Sequence, residues 1–239
     1  MIPEQRFYEK LHGKNSLKHS PSGILYYLFH RLQKFELYRE DAVYNLLPGG
    51  NTLLDIGCGD GNVIFKSLTK YKKAVGVDIA TNRISRAVRK SQTWPKIKSK
   101  RVKFIQFNAN LKWPWSAETF DAVTLIATLE HLFNPEDVIS QAYQVLKNEG
   151  VLIVEVPNVV FLPNRLKIMF GKLPITAPGD PGWDGGHLHY FTVESLSDLL
   201  KTHGFQIKAI TCSGIWVNYR SWWIAMLGGD IIIKAQKII

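Results

Sequence analysis

The sequence predicts an α/β protein built on one doubly wound, mostly parallel sheet of seven strands, with helices on both faces and an antiparallel final strand. Three observations carry that reading. Between residues 52 and 156 short apolar runs alternate with helical patterns, the rhythm of strand–helix–strand units. Polar residues arrive at or just past the ends of those runs: Asp55, Asp78, Asn108 and Glu130. The first run is followed by Gly57-Cys58-Gly59-Asp60-Gly61, glycines at alternate positions between a strand and a helix, where the backbone must turn sharply.

Taken in order, residues 1–20 are polar, with 12–16 reading as loop. Residues 23–47 read as a helix, because Leu25, Leu28, Phe29, Leu32, Phe35 and Leu37 recur near helical spacing and Pro48-Gly49-Gly50 stops the pattern. Residues 1–50 are therefore an N-terminal helical lid region, and the sequence leaves open whether its helix covers a site or packs on the sheet. Residues 51–239 form the main domain. Its first strand is Thr52–Ile56 and its first helix Asn62–Leu68, after which Lys70–Lys73 form a loop. The strand Ala74–Ile79, the helix Asn82–Lys90 and the strand Val102–Phe107 follow. Next come a strand Ala122–Ala127 and a helix Pro135–Leu146, stopped by Asn148-Glu149-Gly150. The strand Val151–Val156 ends the alternation. Residues 158–191, broken by Pro174, Pro178 and Pro181, read as an insertion covering the site. Thr192 then caps a helix Val193–His203, and the strands Phe205–Cys212 and Ile231–Ile239 pair as a last hairpin.

Sheets of this kind bind ligands outside the carboxyl ends of their strands, where the strand order reverses. A flat polar ligand, a nucleoside, is therefore expected over Gly57–Gly61. Cys58 and Cys212 offer neither a disulfide framework nor metal spacing, which suits a reducing compartment. The N-terminus does not read as a signal peptide and no apolar run is long enough to span a bilayer, so a cytoplasmic protein is expected. The net charge of +10 is lopsided: residues 66–112 hold fourteen Lys or Arg against one acid, Asp78. Such a segment either is a solvated surface or faces an anionic partner. Its loops 70–73 and 96–103 precede strands, on the side opposite the expected site. That disfavours nucleic acid gripped over the ligand and suits a peripheral membrane or protein contact.

These motifs resemble class I S-adenosylmethionine-dependent methyltransferases, in their small-molecule branch, closely over residues 51–158 and more loosely beyond. The resemblance implies a Rossmann-like fold and S-adenosylmethionine as cofactor, with S-adenosylhomocysteine as product. By the family's pattern Asp55, Gly57, Cys58, Gly59, Asp60 and Gly61 would cradle the methionine part. Asp78 would accept from the ribose hydroxyls, with Ile79 beside it. Asn108 and Ala109 stand where an Asp usually touches the adenine amine, and an Asn oxygen can still accept from it. Ala127 completes the cofactor set. Phe120-Asp121, Leu129-Glu130-His131-Leu132 and Val145-Leu146-Lys147 also fit that branch. A nicotinamide enzyme would want its third glycine one residue later.

The implied reaction is methyl transfer to a small-molecule acceptor, most simply at oxygen, by in-line displacement. Alignment and desolvation supply most of the acceleration, and a base is needed only if the acceptor must lose a proton. His131 and His189 are the candidates for that base. Glu130, His187, Tyr190 and Trp183 are candidates for holding the acceptor. Some quinone O-methyltransferases of similar sequence bind a divalent cation with two acids and a His after the fourth strand. Here Ala127 replaces one acid, and a hard cation on Glu130 and His131 alone would be poorly held, so no metal is expected. Trp216, Tyr219, Trp222 and Trp223 either pack in the core or line an apolar acceptor pocket, and packing is the default for aromatics. The acceptor is thus a small molecule, with a lipid-linked one in reach of a membrane contact. An RNA or protein methyltransferase, and a cofactor-binding scaffold without turnover, remain alternatives.

Overall fold

The computed structural model describes residues 5, 6, 9, 36–95, 99–177 and 183–238, with only the backbone of Trp183 described. One seven-stranded sheet dominates it, built from β2 (Gly50–Ile56), β3 (Tyr71–Asp78), β4 (Val102–Gln106), β5 (Phe120–Ile126), β6 (Leu146–Pro157), β7 (Phe205–Thr211) and β9 (Asp230–Lys237). Their spatial order is β4-β3-β2-β5-β6-β9-β7. Strands β2 to β6 are parallel, whereas β9 lies between β6 and β7 and is antiparallel to both. A separate two-stranded ribbon joins β1 (Glu36–Leu37) to β8 (Gly214–Ile215). From β2 the chain builds outward through β3 and β4, then returns to place β5 on the other side of β2. The order therefore reverses at the β2–β5 seam.

Alternate residues of each strand face opposite sides of the sheet, and both sides are covered, which is why the strands read as continuous apolar runs. On one face Leu54, Val123, Leu152 and Ile233 pack under α4 (Pro135–Val145) and α6 (Val193–Thr202). On the other, Leu53, Ala122, Ile153 and Ile232 pack under α1 (Arg39–Leu46), α2 (Asn62–Ser67) and α3 (Thr81–Gln92). The starts of the first pair are capped as their sequences imply. Asn134 accepts from the Asp137 N–H with Pro135 behind it, and Thr192 exchanges reciprocal hydrogen bonds with Ser195. Helix α5 (Leu162–Met169) lies within the insertion, whose ends sit side by side where Asn158 bridges Phe191. Two short helices, α7 (Val217–Arg220) and α8 (Ile224–Leu227), precede β9.

Several sequence expectations are corrected. The helix expected over 23–47 is, in its described part, a short strand followed by α1, because Glu36 and Leu37 pair with Ile215 and Gly214; residues 23–35 lie outside the described residues. Gln5, Arg6 and Glu9, in the stretch read only as polar, are helical. Glu9 accepts the Thr81 N–H at the start of α3. Residues 71–73 belong to β3 rather than to a loop. Helix α4 ends at Val145, and Asn148-Glu149-Gly150 bend β6 rather than stop a helix. Leu146 already pairs with Phe120, and Glu149 takes the extra turn at φ +60°.

Part of the basic segment is engaged within the fold. Lys70 donates to the Tyr44 and Leu47 carbonyls at the end of α1, where a cation complements the helix dipole. Arg101 bonds the Leu68, Tyr71 and Lys72 carbonyls. Lys66 pairs with Asp41, and Arg83 and Arg86 with Asp60.

Candidate functional site

The carboxyl ends of β2, β3, β4 and β5 converge at the seam where strand order reverses. After Ile56 the chain must turn at once beneath the neighbouring strand, and Gly57 does so at φ +74°. A Cβ there would lie 2.1 Å from Thr128 Oγ1, so only glycine fits between β2 and the segment after β5. The Gly57 and Cys58 N–H groups donate to the Val77 carbonyl, at 2.8 and 2.9 Å. Gly61, at φ +82°, closes the turn into α2 with Phe104 against its open side.

Two carboxylates frame this loop. Asp78 ends β3 and accepts from the Gly59 N–H (2.9 Å) and the Ala80 N–H (2.8 Å), one through each oxygen. Burial raises its pKa, and those hydrogen bonds work against the rise. Asp55 lies beneath the loop, 1% exposed, with Oδ1 accepting from Thr124 Oγ1 at 2.7 Å. Its Oδ2 is buried and has no hydrogen-bond partner among the described residues. Burial pushes this carboxyl up to about 7.

The other expected cofactor residues divide. Ala127 holds a left-handed backbone, φ +46°, at the end of β5, and its N–H donates to both the carbonyl and the carboxylate of Glu155. Asn108 Oδ1 accepts from the Asn110 N–H and Nδ2, making its own turn after β4. Ala109 is buried and Ile79 half-buried, beside Asn108 and Asp78 respectively. Cys58 contributes backbone only: its side chain is buried toward β3, and burial pushes the thiol well up. Asp60 turns outward to Arg86 and Arg83 of α3.

A second cluster forms beyond β5. The 3-10 turn Leu129–His131 carries Glu130 and His131, and the turn Trp183–Gly186 of the insertion delivers His187. Main-chain bonds knit the two turns, since the Leu188 and His189 N–H groups both donate to the Glu130 carbonyl, at 2.8 and 3.1 Å. The ligand atoms of Glu130, His131 and His187 all lie within 4.8 Å of one another. Glu130 is 1% exposed, and among the described residues neither carboxyl oxygen has a hydrogen-bond partner. Burial, then the charge of Glu155, raises it to about 8. His131 donates from Nδ1 to the Gly186 carbonyl at 3.2 Å, and burial lowers it to about 4. Behind His187 stands Asp184, whose carboxylate accepts the Thr176 and Ala177 N–H groups and the Thr176 hydroxyl, each at 2.7 Å. Burial opposes its ionisation, but these bonds hold its pKa low.

The expected acceptor residues are only partly assembled. His189 is half-buried and Tyr190 is 42% exposed. Trp183 opens the 3-10 turn, and its side chain lies outside the described residues. The aromatics 216–223 are not core: Trp216, Tyr219, Trp222 and Trp223 are 54%, 78%, 84% and 51% exposed, in short turns too small to bury them. Sequence reasoning passed over Glu155, Asp184, Thr176 and Arg39. Glu155, 1% exposed, had a visible signal as an acid inside an apolar run, and Arg39 Nε approaches it to 3.4 Å. Burial pushes Glu155 up to about 7 and Arg39 opposes the shift.

Comparison with known proteins adds to this geometry. A family model described as a methyltransferase domain matches residues 25–210. The ubiquinone biosynthesis O-methyltransferase of Bos taurus mitochondria is 26% identical over 226 residues, 89% of this chain and 56% of its own. Its Mus musculus counterpart is 28% identical over 178 residues, 73% of this chain and 46% of its own. The chain thus spans about half the length of the curated relatives it matches. Among solved structures, a methyltransferase from Thermotoga maritima, described as a possible histamine N-methyltransferase, superposes with a TM-score of 0.63 at 21% identity. That superposition covers 97% of this chain and 99% of the other, and shows the shared fold.

Proposed function

The chain belongs to the methyltransferase-domain family, and on that premise we propose that it transfers a methyl group from S-adenosylmethionine to an oxygen of a small-molecule acceptor. The observation that carries the cofactor is the loop at the β2–β5 seam. Its left-handed glycines leave no room for side chains, and the loop is tied to Asp78. The residues fit. After serving Gly59 and Ala80, each Asp78 oxygen keeps a lone pair for a ribose hydroxyl. The partnerless Oδ2 of Asp55 suits the ammonium of the methionine part, with Gly57, Gly59 and Gly61 around it. Asn108 and Ala109 receive the adenine edge, flanked by Ile79 and Ala127.

Bound there, the cofactor supplies a methyl carbon on a cationic sulfur, which the acceptor oxygen displaces in line, with S-adenosylhomocysteine as product. The chain's own task is to align that oxygen and take its proton. Of the two histidines expected to serve, His189 is the better base. It is half-buried on a backbone whose amide N–H donates to the Glu130 carbonyl, whereas burial depresses His131. Oxygen as the accepting atom is supported by the relatives named as O-methyltransferases. A lipid-linked acceptor is supported by the exposed Met169, Phe170 and Leu173 of the insertion with Trp222 and Tyr219. A peripheral contact through residues 66–112 draws on exposed lysines, among them Lys72, Lys73, Lys100, Lys103 and Lys112.

Calorimetric titration with S-adenosylmethionine, S-adenosylhomocysteine and NADH tests the cofactor. The two sulfur nucleosides bind, NADH does not, and Asp78→Ala loses most of the affinity. Failure of both nucleosides to bind sinks the proposal. With a turned-over phenolic acceptor, His189→Gln lowers kcat by about 100-fold or more while leaving cofactor affinity intact. An unchanged kcat removes His189 from the chemistry.

A further inference from the structure

We propose that Arg83 is a cofactor-positioning residue: its guanidinium fills the space beside Gly59 and braces the Gly59–Asp78 hydrogen bond on which recognition of the ribose depends. The inference rests on the cofactor reading above and adds to it a residue outside the glycine loop and its acids.

Each glycine of the loop is closed by a different side chain. A Cβ on Gly57 would meet Thr128, and one on Gly61 would meet Phe104 and Phe65. At Gly59 it would lie 2.5 Å from Arg83 Nη2, 2.8 Å from Cζ and 3.0 Å from Nε, so Arg83 supplies all three nearest atoms. The middle glycine, itself left-handed at φ +54°, therefore makes room for a cation. Arg83 reaches it from the first turn of α3, with Nε 3.7 Å from Asp60 Oδ1. The Gly59 N–H in turn donates to Asp78 Oδ2.

The charges around Asp78 explain why a cation belongs there. Asp55 lies beneath the loop on β2, Asp60 stands within it, and Glu9 takes the Thr81 N–H at the start of α3. Cys58 is buried nearby, and Gln106, the partner of Asp78 on β4, is uncharged. Burial and Asp60 both disfavour a charge on Asp78, whereas Arg83 favours it. That charge matters because each Asp78 oxygen already accepts one N–H. A proton on either oxygen would take the lone pair that a ribose hydroxyl needs. Arg83 thus keeps Asp78 in its accepting form and holds Gly59 where its N–H fixes the carboxylate.

Arg86, three residues on, pairs with Asp60 at 3.0 Å. It carries the same charge on the same helix, so it separates a local effect of Arg83 from the net charge of α3.

The test is calorimetric titration of the full chain with S-adenosylhomocysteine from pH 8 to pH 5, for the parent, Arg83→Gln, Arg83→Lys and Arg86→Gln. Taking each variant relative to the parent at the same pH removes what Asp55, Glu130 and Glu155 contribute to both. Between pH 8 and pH 5 Arg83→Gln loses about 10-fold more affinity than the parent, the effect of one pKa unit in a carboxyl that binds only when charged. Arg83→Lys, which keeps the charge, recovers most of that loss, and Arg86→Gln follows the parent. The Arg83 side chain is 31% exposed, so its replacement leaves the core intact, and thermal unfolding checks this. A ligand-free measurement stands beside the titration: the carboxyl-carbon resonance of Asp78 titrates at higher pH in Arg83→Gln than in the parent. If the parent binds neither S-adenosylhomocysteine nor S-adenosylmethionine, the cofactor reading fails and the inference with it. If the parent binds, the inference alone is overturned by an Arg83→Gln affinity that matches the parent or falls by one factor at every pH. It is also overturned if Arg86→Gln reproduces the Arg83→Gln profile, or if the Asp78 resonance titrates identically in both proteins.

Discussion

Asp55 is the residue whose ionisation bears most directly on the fold. Its carboxyl is raised to about 7 by burial beneath the glycine loop, against about 3.9 in an unfolded chain. Between those values the native state holds a proton that the unfolded state has lost, so stability falls as pH rises through that window. Asp55→Asn keeps the acceptor for Thr124 but removes the charge. Denaturant unfolding of the parent should therefore weaken by a few kcal/mol more than that of the variant, as an order of magnitude, from about pH 4 to 7, the variant keeping the slope that the raised Glu130 and Glu155 contribute. Parallel slopes would mean that Asp55 ionises freely in the folded chain. An Asp before a glycine turn was readable in the sequence. That one of its oxygens would be left without a partner was not, because it depends on Thr124, a residue on another strand.

At the scale of elements, the segment from β1 through α1 ties the N-terminal region to the sheet. Glu36 and Leu37 pair with β8, and Arg39 reaches the buried Glu155 at the end of β6. Glu155 in turn holds the Ala127 N–H, so this contact runs from the segment to the β5 end of the candidate site. Glu155 is pushed up to about 7, burial first. Arg39 favours its charged form, so Arg39→Gln should destabilise most above that value and little below it, where the carboxyl is protonated with or without the arginine. Urea unfolding of both proteins at pH 8 and pH 6 reads this directly. A stability gap equal at both values would assign the effect to packing. The sequence pattern shows a helix near here but not the strand before it, since two residues pair as a strand only when β8, nearly 180 residues away, is set beside them.

For the whole molecule, a charge of +10 concentrated in residues 66–112 invited a nucleic-acid reading. The fold gives part of that charge partners within the chain, with Lys70 and Arg101 on carbonyls and Lys66, Arg83 and Arg86 on acids. Single-stranded RNA should therefore bind no more tightly than nonspecific contacts, with a Kd of roughly micromolar or weaker at physiological salt. Tighter binding with a steep salt dependence would restore the RNA methyltransferase alternative. Among the described residues no helix is long and apolar enough to cross a membrane.

The sequence by itself determined the strand and helix alternation, the doubly wound sheet, the glycine loop with Asp55 and Asp78, and the capped helices α4 and α6. Each of these follows from patterns within a few residues: apolar periodicity, turn chemistry and a cap three positions from its partner. Only the tertiary structure decided that β9 lies between β6 and β7, that the aromatics 216–223 stay exposed, and that Asp60 faces α3 rather than the loop. It also decided that His187 from the insertion meets Glu130 and His131, more than fifty residues earlier in the chain. The physical reason is range. Local patterns are written by neighbouring residues, whereas a convergence of donors depends on where the sheet places two distant turns.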